Sequence, residues 1–310
     1  MRQYLLLLAL IFICYSSFGQ ADKKLYEKFE RLQSQGKTEQ AEKVMLQIST
    51  ENAKYFDWLF EKAAEFSDQN QLDSAKRYIS SAISAFANVP MPSSEEFMKR
   101  RKAHYQDGVL IMDKIVVKDS LANDFFMRGN MKKDIGLKNE AIADYTTAIK
   151  LDPENPYNYF GRGLTYSELN ELDSAISDYT NALKLNPKEA TFYLNRGFVL
   201  LKMENYDKAI YDFERVPRYT EEVIGIAFAL NNMGYAYLQL GKLELAEEKV
   251  MESVDLFPTN NYAYRNLALI KIEQKELDKA CEYIAKSLEL GFTFRYGDEV
   301  QKLQEQYCKP

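Results

Sequence analysis

The chain of 310 residues has one histidine, one tryptophan and three cysteines. Because His104 is the only histidine, a metal site built from several histidines cannot form, and no histidine-based catalytic triad is evident. The sequence also contains neither the glycine-rich run of a phosphate-binding loop nor an aspartate-rich calcium loop. No catalytic residue, metal or cofactor is therefore predicted, and the protein is expected not to be an enzyme. His104 is expected on a solvated helix face, and Trp58 in the packed core.

Glycine and proline are scarce, at 13 and 8 residues, whereas tyrosine and phenylalanine number 22 and 18. This composition favours helical hairpins with aromatic packing over a β-sandwich, which needs many turn residues. The formal net charge of −6 argues against a nucleic-acid partner, which would require a basic stripe.

A long hydrophobic run is absent as well. The apolar stretch Leu5 to Cys14 spans about ten residues, which is too short to cross a bilayer. Arg2 precedes it, and small residues at Ser17 and Gly19 match the positions that a signal peptidase reads. We therefore predict a signal peptide over 1–19 and a mature protein that is periplasmic or extracellular, without stable membrane insertion. A retained membrane anchor is the alternative.

Two cysteines, Cys281 and Cys308, lie outside the predicted leader. In an oxidising compartment an even pair is consistent with a disulfide, which would tie the last helix to the preceding hairpin. Two separate buried thiols are the interpretation favoured here, because nothing in the sequence shows that the two residues meet.

What the sequence does contain is a repeat. Gly129, Gly163 and Gly197 are spaced 34 residues apart, and each is preceded by an arginine. An alanine follows each glycine by twelve residues and an aromatic residue follows by sixteen. This period predicts stacked helix pairs, in which the glycine lies where the second helix crosses the first and the alanine supplies the other half of the contact.

The segment 155–189 reads NPYNYFGRGLTYSELNELDSAISDYTNALKLNPKE, and it resembles the tetratricopeptide repeat (TPR) family in the spacing of its small, aromatic and proline residues. The resemblance implies an all-α fold, a right-handed superhelical solenoid of helix-turn-helix repeats with a C-terminal capping helix. The resemblance assigns degenerate helical pairs to 20–121, and 90–121 is one of these pairs. It assigns repeats to 122–155, 156–189, 190–223, 227–260 and 261–294. A capping helix and tail are assigned to 295–310. Between the third and fourth repeats, extra residues within Pro217–Ile224 predict a longer turn.

The arginine before each glycine has a matching acid sixteen residues later, in three pairs. In the fourth and fifth repeats, neither the arginine nor the aspartate is present at the corresponding positions. This covariation predicts that each arginine contacts its aspartate, because a guanidinium binds a carboxylate with two hydrogen bonds. An anion site lined by three arginines is the alternative. The pairs are Arg128 with Asp144, Arg162 with Asp178, and Arg196 with Asp212.

By the TPR resemblance, the first helix of each pair lines a concave groove, and exposed apolar residues there predict a binding surface. The clamp of basic residues with which some TPR proteins hold a peptide carboxylate is not matched, since its basic positions hold Phe126, Thr191 and Asn195. The residues predicted to line the groove are Asn130, Tyr157, Phe160, Leu164, Leu194, Phe198, Leu201, Phe228, Asn231, Tyr235, Tyr262 and Arg265.

The predicted function is a non-catalytic scaffold that binds a peptide or protein segment in this groove, in the cell envelope. The alternative is an assembly subunit whose groove is filled by its own chain or by a second copy, which would make a homo-oligomer possible. A third interpretation of the groove, stacking of sugar rings on its aromatic residues, lacks a visible cluster of polar residues to orient hydroxyl groups.

Overall fold

The structure is a computed structural model that describes residues 58–87, 95–118, 121–293 and 297–308, together with a few isolated residues before 45. The predicted signal peptide over 1–19 lies outside the described residues. The predicted weak repeat over 22–55 also lies almost wholly outside them.

The described chain is helical and contains no strand within these ranges. Residues 58–68 are helical, and the helices that follow are α1 Leu72–Ala87, α2 Glu95–Lys118, α3 Ala122–Asp134, α4 Lys138–Leu151, α5 Pro156–Glu168, α6 Leu172–Leu185, α7 Ala190–Lys202, α8 Tyr206–Phe213, α9 Val216–Tyr219, α10 Val223–Gln239, α11 Leu243–Leu256, α12 Asn261–Glu273, α13 Leu277–Glu289 and α14 Glu299–Tyr307.

The chain divides into two compact units, residues 1–152 and 153–310. In the first unit, α2 packs against α1 and α3 around a core that includes Phe60, Met112 and Met131. In the second unit, α5 pairs with α6, α7 with α8, α10 with α11, and α12 with α13. The fold is therefore all-α and built from antiparallel helix pairs, as predicted.

The two helices of a pair approach closely at the glycine of the first helix. A methyl group added at Gly163 would lie 2.9 Å from Cε1 of Tyr179, and one at Gly197 would lie 2.7 Å from Cε1 of Phe213. The predicted partner was the alanine twelve residues on, but the nearest atoms belong to the aromatic ring sixteen residues on. The alanines are fully buried beside this contact. The ring thus fills the space that the glycine leaves.

Every hairpin turn from the first full repeat onward closes in the same way. A backbone carbonyl near the end of the first helix accepts a hydrogen bond from the N–H of the residue five positions later. Leu137 N donates to Lys132 O at 2.8 Å, and Lys242 N donates to Tyr237 O at 2.9 Å. This closure requires one residue with a left-handed backbone. Those residues and their φ angles are Gly136 at 93°, Asn170 at 61°, Glu204 at 57°, Gly241 at 69° and Lys275 at 63°.

The prediction of a helical pair over 90–121 was wrong, because Glu95–Lys118 forms one continuous helix, α2. The segment lacks a residue that would break the helix. Its one glycine, Gly108, stays helical at a close packing point, where an added methyl would lie 2.7 Å from Sδ of Met131 and 2.9 Å from Cε1 of Phe60.

The insertion between the third and fourth repeats is not a long turn. It forms the short helix α9, in which Val216 is buried and the ring of Tyr219 stacks on Tyr193 at 5.6 Å between centroids. Helix α10 then begins at Val223, earlier than the predicted repeat start at 227, and reaches 17 residues.

Two single residues differ from their predicted roles. His104 does not lie free on a solvated face, since its ring stacks on Phe60 with centroids 5.1 Å apart. Trp58 is 42% exposed and meets Tyr78 edge-on instead of being enclosed in the core. In both cases an aromatic neighbour distant in sequence decides the environment.

The interpretation of Cys281 and Cys308 as separate thiols was wrong, because the structure joins them in a disulfide. The bond links α13 to the end of α14. The terminal helix also buries Val300 against Ile284 and Phe292. The C-terminal helix is therefore held by both a covalent bond and apolar packing.

None of the described helices combines the length and the hydropathy that a membrane span requires. Within the same residues, no three histidine, cysteine, aspartate or glutamate side chains are grouped as metal ligands.

We expect Gly163→Ala to lower the free energy of unfolding by about 1–3 kcal/mol, because the added methyl overpacks the ring of Tyr179. An ordinary mid-helix Gly→Ala change would stabilise by about 0.5–1 kcal/mol instead. Gly225→Ala is the control, since its methyl would meet only the carboxylate of Glu222, which can rotate away at the cost of the cap it makes on the N–H of Gly225, about 1 kcal/mol. Urea and thermal unfolding measure both, and an equal effect of the two changes would contradict the close-packing argument.

Candidate binding pocket and the paired arginines

A pocket of about 650 Å³ opens between α7, α10 and α12 in the second unit. This volume lies within the range of small-ligand sites and suits one or two side chains of a bound segment. The residues that line it are Phe198, Leu201, Lys202, Glu204, Tyr206, Phe228, Asn231, Asn232, Tyr235, Asn260, Tyr262, Arg265 and Asn266.

The apolar part of the pocket is aromatic. Phe198 and Phe228 are 45% and 41% exposed, and both line the same pocket. Phe228 is supported from behind by an edge contact with Phe257, at 6.1 Å between centroids. The two exposed rings therefore offer surface that a ligand would bury.

The polar side chains of the pocket form a chain of hydrogen bonds in which each side chain donates to the next. Nη1 of Arg265 donates to Oδ1 of Asn266 at 2.8 Å. Nδ2 of Asn266 donates to Oδ1 of Asn231 at 2.9 Å, and Nδ2 of Asn231 donates to Oδ1 of Asn232 at 3.5 Å. Arginine has only donors, so it fixes the orientation of each amide in turn. The chain ends on the amide nitrogen of Asn232, which is left to donate.

A second amide donor lies at the start of α12. Oδ1 of Asn260 caps the helix by accepting from the N–H of Tyr262 at 3.2 Å. The side chain of Asn260 is 4% exposed, and its Nδ2 has no hydrogen-bond partner among the described residues. A buried amide without a partner is costly, so this nitrogen would gain a hydrogen bond from an acceptor atom of a ligand once a side-chain rotation exposes it to the pocket.

Arg265 is held on three sides. Its guanidinium lies 5.5 Å from the ring centroids of both Tyr235 and Tyr262. Nε donates to Oε1 of Glu299 at 3.0 Å, and Nη2 donates to the same oxygen. Cation–π contact and ion pairing together fix the side chain at the edge of the pocket.

The three predicted arginine–aspartate pairs share one geometry outside this pocket. Nε and Nη2 of Arg162 donate to the two carboxylate oxygens of Asp178, both at 2.8 Å. Arg196 makes the same two bonds to Asp212, each at 2.8 Å. In the first unit, Arg128 reaches Asp144 at 2.8 and 2.5 Å. Each pair is a fork in which both hydrogen bonds are parallel.

The carboxylates of these pairs are almost fully buried, while the arginines keep partial access to water. The hydrogen bonds with Asp178 raise the pKa of Arg162, although burial opposes the rise. For Arg196, burial acts to lower the pKa, but the hydrogen bonds to Asp212 have the larger effect. The pKa of Arg196 is therefore raised as well. The guanidinium forks are thus committed to carboxylates, which disfavours an anion site at these arginines.

Comparison with family models finds repeats in two parts of the chain. A model described as TPR repeat matches residues 129–170 and 166–204, and a model described as Tetratricopeptide repeat matches residues 231–291. These two parts of the chain are tetratricopeptide repeats.

Solved TPR structures share the fold. MamA 41-end from Desulfovibrio magneticus RS-1 is 23% identical with a TM-score of 0.51, covering 56% of this chain and 96% of that one. YrrB, described as a TPR protein with an unusual peptide-binding site, is 19% identical with a TM-score of 0.51, covering 63% and 97%. A TPR protein from Parabacteroides merdae is 18% identical with a TM-score of 0.50, covering 83% and 100%. No curated protein matches the chain.

Part of the predicted TPR groove coincides with the pocket. Seven of the predicted residues line it, namely Phe198, Leu201, Phe228, Asn231, Tyr235, Tyr262 and Arg265. They come from the first helices of the third, fourth and fifth repeats, which are α7, α10 and α12.

The other five predicted groove residues have different surroundings. Phe160 packs against Phe192, with centroids 4.9 Å apart, and Leu164 and Leu194 pack against core clusters. Asn130, in the first unit, accepts a hydrogen bond from the hydroxyl of Tyr145 at 2.7 Å. These contacts are packing contacts, because helical spacing alone does not separate groove from core.

Tyr157 is 45% exposed but lies away from the pocket lining. Its hydroxyl donates to Oε2 of Glu189 at 3.2 Å, and its ring meets Phe192 edge-on. Burial and the neighbouring Glu189 raise the pKa of this tyrosine. It therefore remains a neutral, surface-facing side chain.

Sequence reasoning missed the pocket residues that lie in turns or at helix ends. Asn260 precedes α12, Tyr206 begins α8, and Glu204 occupies the left-handed position of the hairpin turn. The prediction considered only positions within the first helix of each repeat. An asparagine directly before a helix is a capping signal, so Asn260 could have been placed at the helix start, although not in a pocket.

We expect Asp178→Ala to lower the free energy of unfolding by about 3 kcal/mol, because it leaves the guanidinium of Arg162 partly buried and unpaired. The double change Arg162→Met with Asp178→Leu should cost much less, since it removes both charges and keeps apolar volume. Thermal unfolding monitored by circular dichroism measures both. A double variant that is less stable than the single one would contradict the pairing argument, and Asp173→Ala controls for loss of an acid on the same helix.

Proposed function

We propose that this TPR protein is a non-catalytic interaction scaffold that holds a peptide or protein segment in the pocket between α7, α10 and α12. TPR proteins generally bind protein partners and do not catalyse reactions, and one structural neighbour, YrrB, is described as having a peptide-binding site. The observation that carries the proposal is the buried amide of Asn260, which has an unused donor beside the exposed rings of Phe198 and Phe228.

A peptide supplies the two features that this pocket lacks. Its carbonyl oxygens are acceptors at regular spacing, and they would satisfy the amide nitrogens of Asn260 and Asn232. Its apolar side chains would cover Phe198 and Phe228, which contribute binding energy only when they are removed from water. An extended segment presents carbonyls and side chains alternately, so it could use both parts of the pocket together.

We propose that this binding takes place in the cell envelope or outside the cell. The disulfide between Cys281 and Cys308 supports this, because such bonds persist mainly in oxidising compartments. The predicted signal peptide over 1–19 is consistent with the same location.

A display library of random 12-residue peptides, selected on the immobilised protein, tests the proposal with a defined probe. We expect enriched peptides whose affinity falls at least about tenfold in Phe198→Glu with Phe228→Glu, because two charges then replace apolar contacts at the pocket. Fluorescence polarisation of the labelled peptides measures the affinities. The two positions are exposed, so the folded state should persist, and circular dichroism checks it.

The matched control is Leu245→Glu with Met251→Glu, two residues that are 40% and 37% exposed and lie outside the pocket lining. Equal loss in both variants, or no enriched peptide, would count against the pocket as the binding site. Light scattering over a range of protein concentrations tests the assembly-subunit alternative, which requires a dimer that Phe198→Glu with Phe228→Glu dissociates.

A further inference from the structure

The C-terminal helix α14 supplies the counter-charge of the pocket arginine. The side chain of Arg265 is 11% exposed, and Glu299 in the first turn of α14 receives hydrogen bonds from its Nε and Nη2. The remaining nitrogen, Nη1, donates to Asn266. Each nitrogen of the guanidinium therefore donates one hydrogen bond, and the charge of Arg265 is compensated while Glu299 stays in place.

This ion pair determines the formal charge around the pocket. The lining contains two cations, Lys202 and Arg265, and one anion, Glu204. With Glu299 the charges cancel, and without it the pocket carries one net positive charge. Because Arg265 is mostly withdrawn from water, its charge would be poorly screened once its partner left.

The position of Glu299 depends on a short helix that is anchored at both ends. Helix α14 has nine residues, a length at which an isolated helix is marginal in water. Val300, next to Glu299, is fully buried, and Cys308 at the far end is bonded to Cys281. Gly297, just before the helix, has a φ of 91°. Breaking the disulfide would leave packing around Val300 as the main anchor of α14.

The other pocket donors are neutral amides. Asn260 Nδ2 has no partner among the described residues, and Asn232 ends the hydrogen-bond chain that starts at Arg265. Neutral amides bind a carbonyl oxygen without needing a charge, whereas a carboxylate gains most from an unpaired guanidinium. Whether Glu299 is paired with Arg265 therefore determines whether the pocket favours a neutral or a negatively charged acceptor.

We propose that Glu299, held by the Cys281–Cys308 disulfide, makes the pocket select uncharged carbonyl groups over carboxylates, and that reduction of the disulfide shifts this selection toward carboxylates. The inference rests on the proposed function in one respect, that this pocket is a ligand site. It adds the chemical class of the ligand group and a redox control over it.

Two small probes that differ only in the acceptor group test the inference: N-acetylphenylalaninamide and N-acetylphenylalanine. Titrations of the full-length protein, followed through the asparagine side-chain amide signals in NMR spectra, give a dissociation constant for each. We expect the oxidised protein to prefer the amide probe. In Glu299→Gln the ratio of affinities should shift by about tenfold toward the acid, the size expected for gaining a charge-assisted hydrogen bond.

The disulfide part uses Cys281→Ser with Cys308→Ser, and the parent protein under dithiothreitol. Both should shift the probe ratio in the same direction as Glu299→Gln, with faster hydrogen exchange over 299–307. Adding Glu299→Gln to the cysteine double variant should shift the probe ratio little further, because both changes act by removing the contact between Glu299 and Arg265. Glu305→Gln, an exposed acid on the same helix, should leave the ratio unchanged.

The outcomes separate the two proposals. If neither probe binds any form, the pocket is not a ligand site and both proposals fail. If both probes bind and the ratio is the same in the parent and in Glu299→Gln, the role of Glu299 is overturned while the pocket stands. If Glu299→Gln shifts the ratio and loss of the disulfide does not, the redox control is overturned.

Discussion

The close approach of two helices at a glycine is the constraint on which the repeats depend. Because Gly163 has no side chain, the ring of Tyr179 can lie against the backbone of the first helix. The residues directly before these two, Arg162 and Asp178, are then brought to the same crossing and form a two-bond ion pair. One sequence offset of sixteen residues thus determines both an apolar and an ionic contact, which is why the two features recur together.

The pocket lies where this regular pattern changes. In the fourth repeat the arginine position holds Met233, which is buried, and in the fifth it holds Leu267, which is fully buried. The partner position in the fourth repeat, Lys249, pairs with acids of its own helix instead, Glu248 and Glu252, both at 2.7 Å. The pocket side of the first helices in these repeats carries Asn231, Asn232, Arg265 and Asn266. Regular repeats build a stable stack, and departure from them leaves side chains available for binding.

The sequence predicted the helix pairs after residue 121 well, because glycine, alanine and proline at a fixed period each have a local steric reason. It predicted the environment of single residues less well. Leu164 and Phe198 occupy the same position in successive repeats, yet the first packs against a core cluster and the second is 45% exposed, so repeat position alone does not determine burial. The disulfide could not be inferred because 27 residues separate Cys281 and Cys308, and only the path of α14 brings them together. Helix α2 was mistaken for a pair because absence of a repeat signature is not a signal for a turn.

The covalent closure at the C-terminus has a consequence for how the stack comes apart. In a linear array each repeat is stabilised by its neighbours, so an end repeat with one neighbour opens first. Here the last pair, α12 and α13, is covered by α14, and the bond from Cys308 to Cys281 prevents that cover from separating freely. Opening from this end must therefore displace a cross-linked unit and not a single frayed helix. The pocket beside it is placed at a protected end, where local unfolding would otherwise have been most frequent.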